Sequence, residues 1–348
     1  MTPKSIIILG AATVIAVGAA AVSLNANQAG TGVEVSGPVF PGLIEQVNTI
    51  AKVVIEHRGQ TLTMVRAGKD GWTMAESDSY PVSAKVAEKV VVQLADLNFY
   101  ELKTKKPELY SRLHVEDLGA KDSQARQIKL FDAGGKAAAD LMAGRKRYNL
   151  VGTRKEGVYI RKPGNAQTWL AAGELDVEIK PGDWLVSKIV DIAEEKVAKV
   201  TIRHPDGEKI AISKPDPKVR NFTLHGIPMG KQLKYDTDPN NVAAVLDQLN
   251  LDDARKAGFV TFDADKTINS LFETRDGLTL EIAMVAKGEE QWASFKASTM
   301  EGAKPGAVKL ADEINKRVTG WVYALPSFKS TRLKRRMADM LKDNKPAS

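Results

Sequence analysis

Two histidines occupy matching places in two look-alike stretches: His57 closes AKVVIEH and His204 closes AKVTIRH. Imidazoles on equivalent strands could hold two like metal ions, or one ion between them. Neither has a carboxylate or a second histidine at ligand spacing beside it. The whole chain has four histidines and no cysteine. Each ring ends the apolar face of a strand, so both are expected to be structural, satisfied by a hydrogen bond, and no metal or other cofactor is expected. His114 and His225 fall in expected loops without partners.

Other stretches that could do chemistry fail on spacing. GIPMGKQ (226–232) has three residues between its glycines and Gln232 after the lysine, where a phosphate loop needs four residues and Ser or Thr. It is expected to be a turn. DADK (263–266) has too few carboxylates for a calcium loop and should cap a turn. The neighbours Glu194 and Glu195, like Glu289 and Glu290, diverge on any regular backbone and make no acid–base dyad. No nucleophile elbow, HExxH or EF-hand pattern occurs. Catalytic residues are therefore not assigned.

The elements around these residues are more informative. Ala51, Lys52, Val53, Ile55 and His57 match Ala198, Lys199, Val200, Ile202 and His204. Leu62 and Met64 then match Ile210 and Ile212, Trp72 falls near Phe222, and Tyr80, Gln93 and Leu94 match Tyr235, Gln248 and Leu249. Apolar positions kept in order over this length predict an internal duplication. Each copy alternates apolar and polar residues as a half-buried strand does, turns at Arg58-Gly59 or Pro205-Asp206-Gly207, and returns as a second strand. A helix follows, marked by Val86, Val90, Leu94 and Leu97 in the first copy and by Val242, Val245, Leu246 and Leu249 in the second. Asp238-Pro239 starts the latter. Hairpins are expected at Gly134-Gly135 and Asp276-Gly277.

The fold expected is α+β: two tandem homologous modules, each an antiparallel sheet with one main helix on a face, plus one N-terminal transmembrane helix. The absence of a βαβ pattern with a glycine-rich first turn argues against a doubly wound nucleotide-binding fold.

Residues 5–24 carry no charge in 20 positions. As a helix they span about 30 Å, the thickness of a bilayer core. They are expected to be a membrane anchor, or an uncleaved signal, with Lys4 on the cytoplasmic side. The alternative is a cleaved signal peptide, and both send the body out of the cytoplasm. The organisation expected is a cytoplasmic stub at 1–4, an anchor at 5–24, a linker at 25–45, modules at 46–190 and 191–326, and a basic amphipathic tail at 327–348.

The chain has 348 residues and a net charge of +7. From Lys329 to Lys345 seven basic residues meet two acidic ones, so +5 of that charge sits in the tail and the body is nearly neutral. A nucleic-acid partner is not expected. Leu333, Met337, Met340 and Leu341 recur on one helical face of the tail, which leaves Lys329, Arg332, Lys334, Arg335 and Arg336 to contact a partner or anionic lipid. DWLVSKIVDI (183–192) looks like a related helical ending of the first module.

The anchor, the strand–hairpin–Trp stretch GWTM (71–74), the helix VSAKVAEKVVVQLADLNF and the segment GRKRYNLVG…GVYIRK together resemble the bacterial family called domain of unknown function 4340. The resemblance covers roughly residues 46–325, taken as two modules. It implies a bacterial inner-membrane setting, with the body periplasmic or extracellular, beside an ABC transport complex of the gliding-motility type. It carries over no catalytic residues. The function expected is a non-enzymatic, membrane-anchored accessory or scaffold protein. Two alternatives stay open. One is a cell-envelope glycan or peptide binding module using Trp169, Trp184, Trp292 and Trp321. The other is a hydrolase with a dispersed site.

Overall fold

A computed structural model describes residues 36–68, 71–151 and 155–342. The expected anchor at 5–24 lies outside the described residues, as do most of the linker and the last six residues of the tail. No helix among the described residues is long and apolar enough to cross a membrane. The strands in chain order are β1 (Ile50–His57), β2 (Gln60–Ala67), β3 (Gly71–Met74), β4 (Tyr80–Val82), β5 (Asn98–Leu102), β6 (Arg126–Asp132), β7 (Ala137–Arg147), β8 (Gly157–Arg161), β9 (Thr168–Ala172) and β10 (Lys188–Val190). They continue as β11 (Val197–Arg203), β12 (Lys209–Ser213), β13 (Thr223–Leu224), β14 (Leu249–Asn250), β15 (Asp253–Lys256), β16 (Ile268–Thr274), β17 (Leu278–Lys287), β18 (Glu290–Thr299) and β19 (Trp321–Ala324). The class is α+β, and every strand pairing given in register is antiparallel.

The chain divides into two compact units. One draws on residues before 64 and on 87–177; the other draws on 64–86 and on residues from 178 onward. Residues 64–86 and 178–190, expected in the first module, therefore group with the second unit. In the first unit the strand order is β1-β6-β7-β8-β9-β5. Alternation buries Val53, Ile55 and His57 of β1 with Ile128 and Leu130 of β6. The 12-residue helix Ala84–Ala95 begins in the second unit's segment and buries Val90 and Leu94, as the spacing predicts, together with Val91; Val86 is only partly buried and Leu97 is buried just past the helix end. Residues 37–45 are not a linker. Phe99 N–H donates to Gly37 O, Val39 is fully buried, and Leu43 is buried in a short helix, Leu43–Gln46.

The second unit has the order β13-β12-β11-β16-β17-β18-β19-β15, with β10 paired to β14 apart from it. Its extra segment supplies the pairing of β2 with β3 and of β3 with β4. The run β11-β16-β17-β18-β19-β15 has the same pattern of order as β1-β6-β7-β8-β9-β5 in the first unit. The details agree too: Ile50 and Lys52 oppose the adjacent residues Asp132 and Phe131, and Val197 and Lys199 oppose Thr274 and Glu273. Ala51 and Ala198 are each the extra residue of a β-bulge at the same point of the matching strand.

Three expectations about helices are corrected. The expected second main helix is one short turn of α-helix, Asp238–Ala243, followed by a 3-10 turn, Ala244–Leu246, and Leu249 belongs to β14. The long helix of the second unit is instead Pro305–Val318, which turns Ala307, Ala311, Ile314 and Val318 inward at helical spacing. Residues 183–192 do not form a helix: Trp184 and Ile189 are fully buried and 188–190 pair with β14. The tail is not one helix either. It folds as Ser327–Leu333 and Met337–Met340, with extended backbone at Arg336.

Candidate functional site

The tail packs onto the second unit through Leu333 and Met340, both fully buried. Its basic residues separate into three kinds. Lys329 is buried, and its ammonium donates to Ala244 O (3.2 Å), Val245 O (3.0 Å) and Asp247 O. Those carbonyls end the 3-10 turn Ala244–Leu246, so the lysine caps it as a C-terminal cation does. Burial holds the ammonium pKa below the usual lysine value. Lys329 is therefore removed from the expected contact residues. Arg336 is engaged as well. Its guanidinium reaches Asp206 Oδ2 (2.7 Å) and Glu208 Oε2 on the β11–β12 turn, and Met337 N–H donates to Glu208 Oε1 (2.8 Å). Those hydrogen bonds hold its pKa above the ordinary arginine value. Its backbone is extended, as the N-cap of the helix Met337–Met340.

Arg332, Lys334 and Arg335 make no ion pair among the described residues. Arg332 and Arg335 line a shallow depression of about 340 Å³ with Asn241, Ser327, Phe328 and Thr331. Phe328 is 58% exposed. The loop GIPMGKQ runs alongside: Lys234 N–H donates to Met340 O, Lys342 N–H to Gln232 O, and Leu233 bridges Leu341. Gly226 and Gly230 have positive φ, as the expected turn needs. Met229 at its tip is fully exposed, and so is most of Tyr235. The arrangement is a cationic surface with apolar side chains standing among the charges. It suits an anionic surface better than a small neutral ligand.

The histidines act structurally. His57 Nδ1–H donates to Ala125 O (2.9 Å), and His204 Nε2–H donates to Arg335 O (3.1 Å), so His204 helps to seat the tail. His225 is not without a partner, since its Nε2 meets Ser213 Oγ at 2.7 Å. His114 sits at positive φ, and burial lowers its pKa. Trp184 and Trp292 are core residues, Trp169 is nearly so, and the half-buried Trp321 is covered by Lys256 Nζ at 3.7 Å and edged by Tyr80. No open platform of tryptophan faces arises among them.

Two features have no signal in the sequence. An open groove of about 470 Å³ lies on β11, β12 and β16–β18, lined by Thr201, Arg203, Asn269, Glu281 and Lys296 beside the pair Lys199–Glu273 (2.8 Å). Elsewhere in the second unit, the buried Ser77 Oγ donates to Asp253 Oδ1 (2.6 Å), and Arg255 Nη1 meets Asp253 Oδ2 (2.8 Å). Burial raises the Asp253 pKa. Ser77 is fully buried, so this pair ties segment 64–86 to β15 and offers no hydroxyl to a substrate.

The family model for Domain of unknown function (DUF4340) matches residues 72–269, more than half of the chain, from β3 into β16. No curated protein and no solved structure matches the chain.

Proposed function

The chain belongs to the family Domain of unknown function (DUF4340), and from that premise we propose a non-enzymatic, membrane-tethered accessory protein. Two tandem modules descend from one ancestral sheet-and-helix unit. Residues 5–24 tether them to a bacterial inner membrane, and they stand outside the cytoplasm as a docking platform for a membrane complex of the ABC-transport type. One observation carries the duplication: Ala51 and Ala198 are the extra residues of equivalent bulges within the same strand order. Bulges are conserved features of a fold, so a shared bulge in a shared topology supports common descent of the halves. The charge-free run at 5–24 supports the tether. The cationic surface at Arg332, Lys334 and Arg335 supports docking rather than catalysis.

The test is purification of the full-length protein from crosslinked membranes. A defined membrane complex should accompany it. Recovery of the protein alone would sink the accessory role. A second reading, binding of an envelope polymer or peptide, is favoured by the open polar groove on β11 and β16–β18. Burial of Trp184 and Trp292 weighs against the aromatic version of it.

A further inference from the structure

We propose that the cationic surface of the second unit docks on the headgroups of anionic phospholipid, an inference that rests on the tethered reading above. The segments 229–236 and 327–342 lie side by side through the Leu233–Leu341 bridge. They carry Lys231, Lys234, Arg332, Lys334, Arg335 and Lys342, after Lys329 is set aside as buried and Arg336 as paired. Against these six cations stand two surface carboxylates, Asp236 and Asp339, and Asp339 already accepts the Arg336 amide. Three of the exposed large hydrophobic side chains, Met229, Tyr235 and Phe328, sit in the same two segments. Cations interspersed with a methionine and two aromatic rings match the interfacial zone of a bilayer, where phosphates lie above the first acyl carbons. An acidic protein segment would satisfy the charges but gives the fully exposed Met229 nothing to enter.

Residues 25–36 separate the charge-free run from Gly37, whose carbonyl is already hydrogen-bonded into the first unit, and 12 residues reach at most about 42 Å. A body held that close to a bilayer has a high effective concentration of headgroups, so modest electrostatic attraction suffices to dock it.

The chain has no cysteine, so Met229→Cys gives a single labelling site for an environment-sensitive dye. The labelled full-length protein is mixed with vesicles of phosphatidylcholine or of phosphatidylglycerol. Emission should shift to the blue with phosphatidylglycerol, stay unshifted with phosphatidylcholine, and return in high salt. Replacing Arg332 and Arg335 by Gln should raise the anionic lipid needed by about thirty-fold, roughly five-fold per cation. Lys121→Gln with Lys136→Gln, two exposed sites of the first unit, should leave it unchanged. Equal emission with the two lipids overturns the proposal. So does a shift caused by polyglutamate and not by phosphatidylglycerol, which would assign the surface to an acidic protein. Flotation with phosphatidylcholine vesicles reports the tether separately. Failure there sinks the tethered reading, while the comparison of emission still decides lipid docking.

Discussion

Replacing Lys329 by Met tests the most unexpected placement in the molecule. The ammonium is the donor that reaches Val245 O and Asp247 O, while Ala244 O keeps the Asp247 amide as a second donor. Methionine fills a similar volume and donates nothing. The buried Val245 carbonyl then loses a charge-assisted bond, at about 1–3 kcal/mol, while Asp247, an exposed residue, can turn its carbonyl to water. Relief from burying the ammonium offsets part of this loss. The lowered pKa shows that burial of the charge cancels much of the bonding, and we expect a net loss of about 1 kcal/mol. For a unit of this size each kcal/mol lowers the melting midpoint by about 2–4 °C, so the drop is about 3 °C. Lys334→Met, at an exposed neighbour, should stay within about 0.5 kcal/mol of the parent. The assay is thermal denaturation followed by circular dichroism. The pH dependence gives a second arm. Burial lowers the Lys329 pKa, so the unfolded chain holds more protons between that value and 10.5, and parent stability climbs as pH rises through the window. The variant lacks that climb. A K329M protein that melts at or above the parent temperature would refute the capping role.

Two other perturbations follow from the first unit. A Cβ on Gly144 would lie 2.1 Å from Leu113 O and 2.9 Å from His114 O, both backbone atoms that cannot swing away. Gly144→Ala should therefore cost at least about 3 kcal/mol in urea denaturation, and an unchanged midpoint would show that segment 113–115 shifts freely. Asp176 is held below the ordinary carboxylate pKa by hydrogen bonds from Lys146 and then Lys89. Its contribution is present above about pH 4 and fades as pH falls through the lowered value. Lys89→Gln with Lys146→Gln should move the Asp176 titration, read by carboxyl NMR, back up toward 3.8, and the stability gap between parent and variant should close as pH falls below about 4.

The parts of this fold that could be read from the sequence are those where one period and one neighbourhood decide the outcome. Past their bulges β1 and β11 alternate apolar and polar side-chain types, their hairpin turns carry Gly59 and Gly207 at positive φ, and the helix Ala84–Ala95 shows its apolar face as valine and leucine. The helix Pro305–Val318 obeys the same period with a proline at its start, but half of its inward stripe is alanine. Alanine adds little contrast to a hydropathy pattern, so the spacing was present while the amplitude was low. Residues 183–192 show the opposite problem. Trp184, Leu185, Ile189, Val190 and Ile192 are a short apolar run that strand and helix share, and pairing with Leu249 decided it from 59 residues away along the chain.

The cationic surface depends on contacts more remote still. Sequence pattern ranks Lys329, Arg332, Lys334, Arg335 and Arg336 alike, because each is a basic residue off the apolar face. Partners elsewhere in the chain separate them: carbonyls at 244–247 take Lys329 inward, and carboxylates at 206 and 208 take Arg336. Arg332, Lys334 and Arg335 remain for a ligand because the fold has spent no carboxylate on them. The charge of the tail was legible. Its division into a buried cap, a clamp and a free pair of guanidiniums beside Phe328 required knowing which acceptors the β11–β12 turn and the 3-10 turn bring alongside. The residues that fix the tail also fix the position of the free ones. Loss of the Lys329 cap should therefore weaken docking on phosphatidylglycerol even though that ammonium touches no lipid.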